Sequence, residues 1–204
     1  MLAFLKKNSY LIFRLILNQI GMTIFGLMTS MAAAAVDRAI EGGGEIRRTC
    51  MIWVSVFSIL FYMFINYTAL KEEGQRDKIR CDAGREQRTP MRGLIIALCA
   101  SLPNLIMAAL IFIFGLLGSE SGPALEWAGG ACGSVKVLAS ILQAMYWGVM
   151  LGWSGVQTIA EIPPFVFAII PLPTILCGFI SYYFGIIDVS LGRYIKKFFT
   201  PAGK

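Results

Sequence analysis

Four runs of predominantly apolar residues, at about 10–36, 50–70, 94–117 and 163–187, constrain this chain more than any other feature. Each reaches or exceeds the roughly 20 residues that carry a helix across a hydrocarbon layer. The alternating pattern of barrel strands is missing, so backbone groups inside such a layer must be satisfied within helices. Of the 204 residues, 57% are hydrophobic and only 15% charged, against about a quarter charged in a soluble domain. These features predict one integral membrane domain over 1–204, an all-α membrane protein with four transmembrane helices.

The first run follows Lys6 and Lys7 and ends in "SMAAAAV", which looks like a signal-peptidase site. Its apolar stretch exceeds the 7–15 residues of a signal h-region and contains Arg14, Asn18 and Gln19. An uncleaved anchor is therefore expected. Gly42, Gly43 and Gly44 mark a tight loop before the second run. Pro103 interrupts the third, and Pro163, Pro164, Pro171 and Pro173 predict an irregular or kinked last helix.

Basic residues set the expected orientation. Fourteen of the eighteen fall in three regions: the N-terminal part, the central stretch 71–92 and the tail. All three are expected on the cytoplasmic side of a cell membrane, with both termini there. Four crossings satisfy this, which leaves the shorter apolar pattern at 135–153. Its polar residues Lys136, Ser140, Gln143 and Trp147 share one face at helical spacing, so it reads as an interfacial or re-entrant helix on the outer side. The alternative is a fifth crossing, which would place the tail outside.

Motifs carry little chemistry. Histidine is absent, and with it the usual general base and metal ligand. "GWSG" at 152–155 matches the nucleophile signature of rhomboid proteases, but no histidine exists to activate the serine. Cys50, Cys81, Cys99, Cys132 and Cys177 are scattered, a poor disulfide or zinc framework. Glu120, Glu126 and Glu161 are isolated acids in outer loops. No catalytic, cofactor-binding or metal-ligating set is expected.

Polar residues inside the runs are expensive in hydrocarbon and are functional candidates by default. Arg14, Asn18 and Gln19 form such a cluster on the first helix, with a snorkelling Arg14 as the plainer reading. Asn18, Gln19, Asn66 and Asn104 are expected to bond between helices. Gly26, Ser30 and Ala34, then Gly148 and Gly152, then Gly178, Gly185 and Gly192, recur at spacings that permit close helix packing.

The stretch 71–92 interleaves seven basic residues with five acidic ones, too weak a field for nucleic acid. It reads as a charged cytoplasmic loop, into which the second helix continues a few turns. Arg76, Lys78 and Arg80, with Arg193, Lys196 and Lys197 of the tail, are candidate contacts for anionic lipid or a partner.

"YTALKEEGQRDKIRCDAGREQRTPMRGLIIALCASLP" and "YYFGIIDVSLGRYIKKFF" resemble small uncharacterised multi-pass membrane proteins of Gram-positive, clostridia-like bacteria. The shared features are a charged loop after the second helix, an Arg-Gly-Leu entry and Ser-x-Pro in the third, and Tyr-x-x-Gly near the end of the last. This resemblance implies a bacterial membrane fold and no particular activity. In length and apolar content the chain is also similar to substrate-binding subunits of vitamin importers, which have more crossings than the four placed here. The expected role is a non-enzymatic packing or accessory subunit, associated with itself or another membrane protein. The alternative is a small-solute transporter or importer subunit.

Overall fold

The computed structural model describes residues 2–39, 45–85, 87, 89–119, 126–154 and 161–188. These form α1 (Leu2–Ala39), α2 (Glu45–Asp82), α3 (Arg92–Ser119), α4 (Glu126–Leu142), a 3₁₀ turn (Ala144–Tyr146), α5 (Trp147–Ser154), α6 (Pro164–Ile169) and α7 (Pro171–Ile186). Among the described residues, four helical segments are long and apolar enough to cross a membrane, Phe4–Ala39, Arg48–Asp82, Arg92–Gly118 and Pro164–Ile186, and the bent pair Trp127–Leu142 and Ala144–Met150 would make a fifth if taken as one span.

α1 and α2 pack antiparallel, with Arg14 against Glu72, Asn18 against Asn66 and Phe25 against Phe57. Each has 38 residues, about 57 Å of helix and nearly twice the thickness of a hydrocarbon layer. Their charge-free stretches, 15–36 and 49–70, are each 22 residues long and lie side by side. The excess therefore projects at the Arg14–Glu72 end.

That projection is the expected continuation of the second helix past residue 70, and it takes up more than half of the stretch 71–92 expected as a loop. α2 continues to Asp82 and only 83–91 connects it to α3. Two forces extend it. Glu73 pairs with Arg76 and Arg80, and Asp77 with Arg80, one turn or two apart. In addition, Leu70, Gly74 and Asp77 form a buried face, which packs against α7.

Glycines make that packing close. A Cβ at Gly185 would lie 2.8 Å from Gly74 Cα, and one at Gly178 would lie 2.6 Å from Ala97 Cβ. The kink expected in the last run resolves into two short helices. Pro164 and Pro171 each occupy a first turn, where no N–H is needed, and Ile170 between them keeps helical dihedrals.

The expected helix at 135–153 is corrected. α4 starts earlier, at Glu126, and the chain bends by 82° between α4 and the segment 144–150. Its polarity is the reverse of a helix lying on a surface: Ser140 and Gln143 are buried, while Val137, Leu138 and Ile141 are 42–55% exposed.

A helix broken among apolar elements needs substitutes for its lost backbone bonds, and neighbouring side chains supply them. Thr23 Oγ1 donates to the Leu142 carbonyl at 2.7 Å, Trp147 Nε1 to the Ser140 carbonyl at 2.8 Å, and Gly148 N to Ser55 Oγ at 2.7 Å. Gly26 fits against the Met145 backbone, and a Cβ at Gly148 would overlap the Met51 carbonyl.

Among the described residues, two apolar cores result. One joins Leu11, Leu15, Leu70, Ile96, Tyr182 and Ile186 at the projecting end. The other joins Met22, Tyr62, Ile111, Met145, Tyr146 and Phe167.

Candidate functional site

The most concentrated polar chemistry lies beside the first core, where four helices meet. Asp77 of α2 is 4% exposed, Arg92 at the start of α3 6%, Asn8 of α1 3% and Tyr182 of α7 1%. One Asp77 oxygen accepts from Arg92 Nη1 and from the Tyr182 hydroxyl, the latter at 2.6 Å. Its other oxygen accepts from Arg80 Nη1 at 3.1 Å.

Arg92 donates through Nε and Nη2 to Asn8 Oδ1 at 3.1 and 2.7 Å, and its Nη2 lies 3.7 Å from Glu73 Oε1. Asn8 donates its own amide to the Phe4 carbonyl at 2.8 Å, which turns its oxygen toward Arg92. Two acids and two arginines thus neutralise one another. A buried pair offsets its desolvation only when its remaining donors and acceptors are met in this way.

Local sequence explains how the parts assemble. Asp77 lies seven residues after Leu70 and three after Gly74, on the buried face of α2. Gly93 leaves room for the Tyr182 ring, and the Gly74–Gly185 approach brings α7 near enough for the hydroxyl to reach. A salt bridge of 3.4 Å between Lys78 and Asp188 holds the end of α7. Asp188 adopts a positive φ of 56°, a conformation that aspartate tolerates better than most residues.

The cluster Arg14, Asn18 and Gln19 is not gathered into one site. Arg14 pairs with Glu72 at 4.0 Å, Asn18 donates to Asn66 at 3.2 Å, and Gln19 donates to Asn104 at 2.9 Å. Each ties α1 to a neighbour. Of the candidate lipid contacts, Arg76 is exposed beside Glu73, whereas Lys78 and Arg80 are engaged in ion pairs. Arg193, Lys196 and Lys197 lie outside the described residues.

The centring of the site on Asp77, Arg92, Asn8 and Tyr182 was not apparent from sequence. The usable signal was the period: Leu70, Gly74, Asp77 and Cys81 recur on one helical stripe. Among the described residues, no three Cys, Asp or Glu side chains converge on a point that could hold a metal ion. Comparison of the chain with family models, curated proteins and solved structures finds no match.

Proposed function

We propose that this chain is a non-enzymatic packing or accessory subunit of a membrane assembly, with its Asp77 end and both termini in the cytoplasm. The observation that carries this reading is the four-helix junction at Asp77, Arg92, Asn8 and Tyr182, which fastens α1, α2, α3 and α7 into one body. Exposed apolar side chains such as Phe13, Trp53, Phe64, Ile106 and Leu176 point outward for lipid or a partner.

The concentration of Lys and Arg at the Asp77 end supports its cytoplasmic placement. The reading also makes α4–α5 a re-entrant hairpin on the outer side. Leu142 bonds to Thr23, nine residues along α1 from Arg14, whereas Gly148 already sits against Met51, near the opposite end of the charge-free stretch. The chain therefore turns back toward the side from which α4 enters. Membrane-impermeant labelling of cysteines introduced at 42 and at 87 tests the orientation: modification of 42 alone in intact cells is expected, and modification of 87 alone would reverse it.

Native mass spectrometry of the gently solubilised chain tests the role. A stoichiometric complex with a second membrane protein or a second copy is expected, and a monomer would overturn it.

A second reading, a subunit that handles a small solute, draws on the broken α4–α5 segment and its inward polar face. An ATPase or transporter partner in the same spectrum favours it.

A further inference from the structure

Gln143 occupies the break between α4 and the 3₁₀ turn and is 1% exposed. Among the described residues, neither its amide nitrogen nor its amide oxygen has a hydrogen-bond partner. Its polar neighbours at the break and at similar depth are committed elsewhere: Thr23 to the Leu142 carbonyl, Gln19 to Asn104, Ser140 to the Val137 carbonyl. A carboxamide with both functions unmet is destabilising among apolar side chains. An apolar residue of similar size would avoid that cost, so the amide is set for something outside the chain.

A route lies next to it. Tyr146 follows Gln143 by three positions and donates its backbone N–H to the Gln143 carbonyl at 2.9 Å. Tyr146 forms one wall of a half-open cavity of about 290 Å³, lined elsewhere by Met150, Ile162, Val166, Ile169 and Ile170. Pro163 caps α6 and Pro164 opens it, and Pro163 lines the cavity with residues of α5 and α6.

The volume admits a body of about ten water-sized groups, but a lining this apolar repels water. Tyr146 is common to the cavity wall and to the turn that Gln143 opens, and its hydroxyl has a hydrogen bond of 3.3 Å to Thr174.

We propose that the cavity and Gln143 together form a binding site for a small uncharged amphipathic molecule, with its apolar body between α5 and α6 and a hydrogen-bonding head on the Gln143 amide. The head is neutral because charge is costly at this depth. Lys136, the nearest charged residue along α4, is seven positions, about 10 Å of helix, away. A carboxamide head suits the site best, since it offers a donor and an acceptor side by side to meet the same pair on Gln143. This site goes beyond the packing role and does not depend on it.

Hexanamide and n-heptane, of similar length, serve as probes, and the readout is the melting temperature of the protein in phosphatidylcholine nanodiscs. Hexanamide is expected to raise it by several degrees and heptane by less. Val166→Phe, which fills the cavity, is expected to abolish both shifts. Gln143→Leu is expected to melt at or above the parent without probe, and to respond equally to hexanamide and heptane.

Equal shifts in the parent would mean that the cavity takes hydrocarbon alone, such as a lipid chain, and would overturn the role of Gln143. The absence of any shift, or an undiminished shift in Val166→Phe, would overturn the site. A Gln143→Leu protein that melts well below the parent would show that the amide is already satisfied, and would overturn its premise.

Discussion

Tyr182 on α7 donates its hydroxyl to Asp77 on α2, 105 positions earlier, at 2.6 Å. The bond crosses the close contact of Gly74 with Gly185 and ends on a carboxylate already engaged by Arg92 and Arg80. Packing and electrostatics therefore depend on each other here, because the glycines set the distance and the acid makes it favourable.

Removal of different members of this group should not cost the same. Tyr182→Phe deletes one hydroxyl and leaves Asp77 with its two arginines, a loss of about 1.5–3 kcal/mol. Asp77→Ala leaves Arg92 buried without its closest counter-charge, a loss of about 3–5 kcal/mol. Equilibrium unfolding in mixed micelles measures both. An Asp77→Ala variant no less stable than Tyr182→Phe would show that the buried pair is not the centre of the junction.

Two kinds of glycine predict opposite signs. Gly185→Ala would press a methyl group into the α2 backbone, and is expected to destabilise by about 1–3 kcal/mol. Nothing lies within 4 Å of a Cβ at Gly133 of α4, so Gly133→Ala is expected to stabilise by up to about 1 kcal/mol through helix propensity. Paired melting curves show whether the signs differ. Equal effects would mean that α2 and α7 do not approach as described.

The Gln19–Asn104 bond joins α1 to α3 at 2.9 Å with both side chains buried. Interhelical bonds of this kind average about 0.6 kcal/mol in membrane proteins. The losses of Gln19→Leu and Asn104→Leu should sum to more than the loss of the double variant, because each single change strands an amide that the double change does not. A double-mutant cycle gives the coupling, and strictly additive losses would mean that the two side chains do not bond.

How much of this was legible in the sequence varied with the signal. The four spans were, because a run such as 94–117 has few other folded uses. The ends of α1 and α2 were not. Arg14 and Glu72 are 58 positions apart and become informative only once their helices are paired. Asp77 was hidden among Lys78, Arg80 and Asp82, which resemble a solvated charged segment, although its place on the stripe of Leu70 and Gly74 marked it as inward.

Gln143 was ambiguous for a related reason. Its polar stripe with Ser140 fits an interfacial or a re-entrant helix equally well in sequence, and the burial of both residues shows that the stripe turns inward while the apolar one faces out. Periodicity reports two faces and leaves open which of them is inside.

Residues 71–82 are packed helix tied to α3 and α7 rather than wetted loop, and the junction stands or falls with that packing. Hydrogen exchange of the intact chain in nanodiscs addresses this directly. Amides of 71–80 lie beyond the charge-free stretch 49–70 yet are expected to exchange slowly, and to lose that protection in Asp77→Ala while those of 15–36 keep theirs. Exchange across 71–80 at the rate of an unstructured peptide in the parent protein would contradict the junction and the packing role built on it.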